Sequence, residues 1–354
     1  LAAVLCVAFG VVLMVQPTGY TVLSPGETAD LLGTDGTRPL ITISGHKTYR
    51  DQGQLRMLTV ELLPPSQKVS LPEAIGDWLQ DDTSVYPSVV WYPPGSSDKS
   101  SQQQGAAQMT SALDLARAAA LQAAGIAVPM RVRIAGVVAG GPSDGKIKVG
   151  DIVTSVNGHD VSSPAEMLSA VQCEGDQTKC ATQYKPGYVA NVVVERKGKR
   201  IPLSIKTVAA SAKPRIGVEI SADPRFPFKI NINIPDNIGG GSGGMMLALT
   251  IYDLLTSGHL TGGHVIAGTG TIGSGPGPGW GAVGPIGGID QKIRGAQRDG
   301  AQLFLAPAAN CDEVRNATYN HNTMKIVKVS TLQDAITAIT RWTKNPNDSA
   351  LKGC

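Results

Sequence analysis

The chain has 354 residues, of which 42% are hydrophobic and 17% charged, with a formal net charge of +3. That length accommodates two or three domains with ample buried cores, and the charge content excludes a disordered or polybasic protein. The small net charge and the absence of a long Lys/Arg run also exclude a nucleic-acid groove: Lys197-Gly198-Lys199-Arg200 reads as a solvated hairpin turn.

Leu1–Val15 is apolar and uncharged, then meets Pro17-Thr18-Gly19. A full membrane span needs roughly 17–25 residues, so a few preceding residues would complete one. No Ala-x-Ala cleavage site follows, which disfavours a signal peptide and favours an uncleaved anchor over residues 1–16. The next Lys or Arg is Arg38, compatible with a body outside the membrane. Four of the five cysteines lie beyond this segment: Cys173 and Cys180 around a polar loop, Cys311 and Cys354 near the end. They allow three pairings, the most economical being 173–180 with 311–354, and they fit an oxidising compartment. Their spacing, with no nearby His, does not suit a metal site.

Residues 17–125 read as an α/β segment. Pro39–Ile43 and Leu55–Leu63 alternate or run apolar as strands do. Leu71–Leu79 is a short helix entered by Ser70 and Pro72, Pro93–Asp98 a loop, and Met109–Ala124 an Ala-rich helix with Gln102-Gln103-Gln104 as its polar entrance.

Residues 126–209 contain a strand at Val132–Val137, a turn at Gly140–Asp144, Val149-Gly150-Asp151-Ile152-Val153 leading to Val156-Asn157-Gly158, a helix from Ser163 to Val171, and a hairpin around Lys197-Gly198. This segment resembles a bacterial PDZ domain. The resemblance implies strand addition of an extended peptide to a sheet edge. It departs from the pattern in the Cys173–Cys180 loop and in lacking a Gly-Leu-Gly-Phe-type carboxylate loop before the first strand.

Residues 210–345 begin with strands at Ile216–Ile220 and Phe228–Ile234. Gly239-Gly240-Gly241-Ser242-Gly243-Gly244 then opens an apolar helix. A strand at Val265–Ala267, a Gly/Pro-rich hairpin, a helix from Lys292 to Asp299, strands at Leu303–Ala306 and Ile326–Val329, and a helix from Thr331 to Trp342 follow. A serine hydroxyl needs a neighbouring base to become a nucleophile. A lysine serves only if burial keeps it neutral near pH 7. A Gly-rich helix entrance supplies free amides where an oxyanion would develop. Ser242 and a buried Lys292 would meet these requirements.

These segments closely resemble the two catalytic blocks of Lon-type serine proteases. The nucleophile motif stands as Gly240-Gly241-Ser242-Gly243-Gly244, lacking the family's proline. The Thr-Gly strand end appears as Thr269-Gly270, and Pro285-Ile286-Gly287-Gly288 precedes Lys292. The resemblance implies Ser242 as nucleophile, Lys292 as general base and acid, Thr269 as the residue positioning the lysine, and amides near Gly241 and Ser242 as the oxyanion hole. Residues 273–280 lengthen a connecting hairpin. No Gly-x-x-x-x-Gly-Lys-Ser/Thr motif is present, so substrates are expected to be peptides, flexible segments or exposed tails rather than proteins unfolded with ATP. The same glycines satisfy Gly-x-Ser-x-Gly, with Asp312 and His321 following in the order of an α/β-hydrolase. Pro235-Asp236-Asn237 interrupts the strand that this reading requires. The five histidines show no ligand spacing.

The expected architecture is a multidomain α+β chain: a membrane anchor (1–16), an α/β segment (17–125), a PDZ domain (126–209), a Lon-type protease domain (210–345) and a tail (346–354). It resembles the PDZ-containing Lon-like proteases of Gram-positive bacteria. The resemblance implies an ATP-independent, membrane-anchored, extracytoplasmic peptidase that takes protein or peptide substrates, needs no cofactor or metal, and contacts no nucleic acid. The family's frequent ring assembly adds homo-oligomerisation as an expectation. The alternative is a non-catalytic PDZ scaffold carrying a dead protease fold.

Overall fold

The computed structural model describes residues 14, 16–172, 185–210, 213–235, 238–274 and 280–354. Most of the apolar run over 1–15 and the Cys173–Cys180 loop lie outside the described residues, as does most of the Gly/Pro-rich insertion. No helix among the described residues is long and apolar enough to cross a membrane.

In chain order, the first part contains β1 (Tyr20–Asp30), β2 (Gln54–Leu62), α1 (Leu71–Trp78), β3 (Ser84–Pro87) and α2 (Asp98–Ala123). The middle part contains β4 (Met130–Val137), β5 (Ile152–Val156), α3 (Pro164–Gln172), β6 (Val189–Arg196), β7 (Lys199–Lys206) and β8 (Val218–Pro224). The last part contains α4 (Gly244–Leu255), β9 (Val265–Gly268), β10 (Thr271–Ser274), β11 (Trp280–Gly284), α5 (Ile289–Arg298), β12 (Leu303–Pro307), α6 (Cys311–Asn316), β13 (Lys325–Val329) and α7 (Leu332–Lys344). α2 begins well before Met109 because Ser97 caps it, exchanging hydrogen bonds with Ser100. Ser70 and Glu73 make the same box at α1.

The chain divides into two compact units, residues 1–126 with 228–354, and residues 127–227. The N-terminal segment and the C-terminal block thus form one unit, although their sequences read as separate segments. They share a six-stranded sheet of order β13-β12-β9-β2-β1-β3. β2 runs parallel to β9, with Gln54 opposite Val265 and Met57 opposite Gly268. A pairing between residues more than 200 positions apart leaves no periodic trace in either segment. Ile289, Ile293 and Ala296 of α5 pack with Val314 of α6 on Leu58, Ala267, Phe304 and Ile326 of the sheet. α4 packs against α2, α7 and the sheet. It is buried on nearly every side, which explains why its sequence is apolar all round. The Cys311–Cys354 disulfide is formed and ties down the C-terminal tail.

The second unit is a six-stranded antiparallel sheet whose main path is β7-β6-β5-β4-β8, with the short strand His159–Asp160 paired to β5 and α3 beside the sheet. Alternate residues Val132, Ile134, Val192 and Val194 point into a core closed by Met167, Val171 and Ile205. β6 and β7 form the expected hairpin, with Lys197 (φ 50°) and Gly198 (φ 77°) at its turn. β8 lies beyond the expected boundary at 209. It pairs with β4, Ala222 opposite Val132 and Pro224 opposite Met130, so it belongs to this sheet.

Candidate active site and peptide groove

Ser242 sits just before α4, partly exposed, in a turn whose geometry requires glycine. Gly240 has φ +89°. A Cβ on Gly243 would stand 2.4 Å from Met57 Sδ. The turn is tied to the loop after β9 by three bonds: Gly270 N–H donates to the Ser242 carbonyl (2.8 Å), Thr269 Oγ1 donates to the same carbonyl (3.1 Å), and Met245 N–H donates to the Gly270 carbonyl (3.0 Å). The N–H groups of Gly241, Ser242 and Gly243 donate to no acceptor among the described residues. They are therefore available to an incoming carbonyl.

Lys292 lies in the second turn of α5. Gly288, with φ +68°, bends the chain into this helix. The helix turns Ile289, Lys292, Ile293 and Ala296 inward, while Arg294 and Arg298 reach ion pairs with Asp290 and Asp299. Lys292 is only 2% exposed. Burial, with no carboxylate partner among the described residues, pushes its ammonium pKa from 10.5 down to about 7. Its Nζ donates to Thr269 Oγ1 at 3.3 Å. Thr269, itself 1% exposed, therefore links the lysine to the backbone of Ser242. No hydrogen bond joins Nζ directly to Ser242 Oγ in this state. Such contacts often close only with substrate.

A cavity of about 590 Å³ opens on Ser242, lined by Gly239, Gly240, Gly243, Met57, Met109 and the residues of β2 from Leu58 to Leu62. β9 pairs with β2 only as far as Met57. Beyond it, the flank of Leu58–Leu62 opposite β1 has no strand partner among the described residues. An open strand edge beside a serine is suited to hold an extended peptide by its backbone.

In the second unit, a cavity of about 260 Å³ lies between α3 and the edge strand β8, lined by Met167, Leu168, Val171, Ile216, Val218 and Ile220. The loop entering β8 is Arg215-Ile216-Gly217-Val218. Ser143 Oγ donates to the Ile216 carbonyl (2.6 Å), and Val138 N–H donates to the Gly217 carbonyl (3.0 Å). In a trans peptide the N–H points opposite the C=O. The N–H groups of Gly217 and Val218 thus turn away from these partners toward the groove, as a carboxylate cradle requires. Gly217 has φ +73°, and a Cβ there would stand 2.8 Å from Pro142 Cδ.

Residues 133–181 match the PDZ domain family, and residues 206–341 match the Lon protease (S16) C-terminal proteolytic domain. This chain matches a PDZ-containing Lon-like protease. Its proteolytic domain is of the serine-peptidase type. Among solved structures, the PDZ domain of an SdrC-like protein from Listeria monocytogenes is 20% identical, covering 25% of this chain and 85% of that one, with a TM-score of 0.21. The PDZ domain of an SdrC-like protein from Listeria innocua is 21% identical, covering 25% and 92%, with a TM-score of 0.22. No curated protein sequence matches the chain.

Within this Lon-like protein, the structure brings the sequence candidates Ser242, Thr269 and Lys292 together and places Gly241 beside them. Asp312 instead pairs with Arg315, and His321 stacks on Tyr319 at 4.0 Å. Neither bonds to Ser242, so the α/β-hydrolase reading finds no triad. No group of metal-ligating side chains occurs among the described residues. Two features went unread in the sequence. One is the open edge of β2, which only the register with β9 reveals. The other is the Gly217 loop beside the α3 groove, which stands at 215–218, before the last PDZ strand and not the first. The Ile-Gly-Val signal was visible there, on the far side of the assumed boundary.

Proposed function

We propose that this Lon-like chain is an ATP-independent serine endopeptidase with a Ser242–Lys292 dyad. The carrying observation is Lys292: buried, its pKa lowered by that burial to about 7, and linked through Thr269 to the turn bearing Ser242. Neutral Nζ takes the Ser242 hydroxyl proton as Oγ attacks the scissile carbonyl, then delivers it to the leaving amine. Thr269 holds Nζ and the Ser242 carbonyl in register. The free amides near Gly241 and Ser242 receive the oxyanion. The substrate lies extended along Leu58–Leu62. The PDZ unit selects substrates by a C-terminal carboxylate with an aliphatic last residue, which the Gly217 and Val218 amides and the Met167/Leu168/Val171 wall would accept. The apolar run 1–15 anchors the chain, and catalysis takes place at the outer face of the membrane. Fluorophosphonate labelling and casein cleavage test the dyad. Both should be present in the wild type and lost in Ser242→Ala and Lys292→Ala. Cleavage that persists in folded Ser242→Ala would remove the serine from the mechanism.

A further inference from the structure

The large exposed apolar side chains of the first unit are concentrated in residues 14–90. Four of them lie on or just after α1: Leu71 (41% exposed), Ile75 (49%), Trp78 (71%) and Leu79 (70%). Their spacing of i, i+4, i+7 and i+8 makes one stripe along the helix, with Glu73 and Asp77 on the opposite side. Ala74 already packs against Val22 and Val69, so the stripe is additional to the face that docks α1 on its own unit. This helix is also fixed at the point where the chain enters the fold. Pro17 bridges to Ser70, the N-cap of α1, and Thr18 N–H donates to the Val69 carbonyl at 2.8 Å. Only Gln16 separates Pro17 from the apolar run that ends at Val15.

We infer that the stripe of α1 lies in the surface of the bilayer and docks the protease unit on it. The inference rests on the proposed anchoring by residues 1–15. With that run inserted, Pro17 stands at the headgroup level. α1 starts there and is about 12 Å long at 1.5 Å per residue, so all of it remains within reach of the interface. A tryptophan flanked by aliphatic residues suits that layer. Because the charges of α1 itself, Glu73 and Asp77, are acidic and lie opposite the stripe, the contact needs no anionic lipid.

The test uses the full chain reconstituted in phosphatidylcholine vesicles with brominated acyl chains. Flotation reports anchoring, and quenching of tryptophan emission reports contact. Wild-type chain should float and be quenched. Trp78→Phe keeps an apolar ring and should float with most of the quenching lost. Ile75→Ser/Leu79→Ser should float with Trp78 quenching reduced. Flotation with equal quenching in wild type and Trp78→Phe would overturn the inference and leave anchoring intact. Unchanged quenching in Ile75→Ser/Leu79→Ser would remove the stripe as its cause. A chain that neither floats nor is quenched would overturn anchoring and docking together.

Discussion

At the scale of the residue, the decisive quantity is the proton on Lys292. The unfolded chain holds it up to 10.5, whereas the folded chain releases it at about 7. Between those values the unfolded state binds more protons, so stability rises with pH across this window. Below pH 7 the cost of burying the ammonium is complete, about 5 kcal/mol at 1.36 kcal/mol per pKa step. Lys292→Met should therefore melt higher than wild type at pH 6, with the gap narrowing by pH 9, while abolishing turnover. Equal gaps at both pH values would contradict a neutral, buried lysine. In the wild type, kcat/KM should climb through an apparent pKa of about 7 as the base loses its proton. Asp253, near the C-terminal end of the helix that begins after Ser242, behaves in the opposite sense. Burial, with a smaller contribution from Asp51, raises its carboxyl pKa from 3.8 to about 6, against the hydrogen bond from Leu260 N–H. Its second oxygen has no hydrogen-bond partner among the described residues. The folded state then binds more protons between these values, so stability falls as pH rises from about 4 to 6. Asp253→Asn should flatten that slope in urea titrations, gaining up to about 3 kcal/mol at neutral pH. An unaltered slope would place the pH dependence elsewhere.

At the scale of the element, Gly217 fixes where the backbone of its loop can go. In Gly217→Ala the new methyl meets Pro142 and the φ of +73° becomes strained. The loop must shift, and the amides aimed at the groove shift with it. Binding of a peptide with a free C-terminal valine, read by fluorescence anisotropy, should be lost, while cleavage of a short untagged peptide persists. Simultaneous loss of both activities would instead indicate damage to the whole chain and not to this loop alone, which circular dichroism distinguishes. Local chemistry made many elements legible in the sequence. Capping at Ser70 announced α1, the Lys197-Gly198 turn announced its hairpin, and the glycines around Ser242 together with Pro-Ile-Gly-Gly singled out the site residues. Long-range pairing made the others illegible. β8 closes the PDZ sheet from about 85 residues downstream of β4, and β2 finds β9 from the other end of the chain. Neither pairing alters the apolar alternation of the strands involved, so domain limits drawn along the sequence cut through both. The first turn of α2 was missed for a different reason: it lies ahead of the polar Gln102-Gln103-Gln104 entrance read in the sequence, and only the Ser97–Ser100 exchange marks it.

At the scale of the whole molecule, the two-unit division has a topological consequence. The second unit begins and ends at neighbouring points. β4 and β8, its first and last strands, are antiparallel partners, with Met130 opposite Pro224 and Arg225 N–H donating to the Pro129 carbonyl at 2.8 Å. A segment whose ends meet can be removed without forcing its host apart. The first unit contains Ser242, Thr269, Lys292 and the open edge of β2, so it holds the full proposed chemistry. Joining Ile126 to Phe228 through a short Gly/Ser linker should leave a folded protein that still cleaves casein and labels at Ser242. The lost property should be selection: a preference of the wild type for substrates ending in an aliphatic carboxylate would vanish, with kcat on short peptides unchanged and KM for tagged substrates raised. If the excised protein folds but no longer turns over short peptides, the PDZ unit contributes to catalysis itself and not only to substrate choice. If the preference survives excision, the C-terminus is read by the protease groove along Leu58–Leu62 and not by the loop at 215–218.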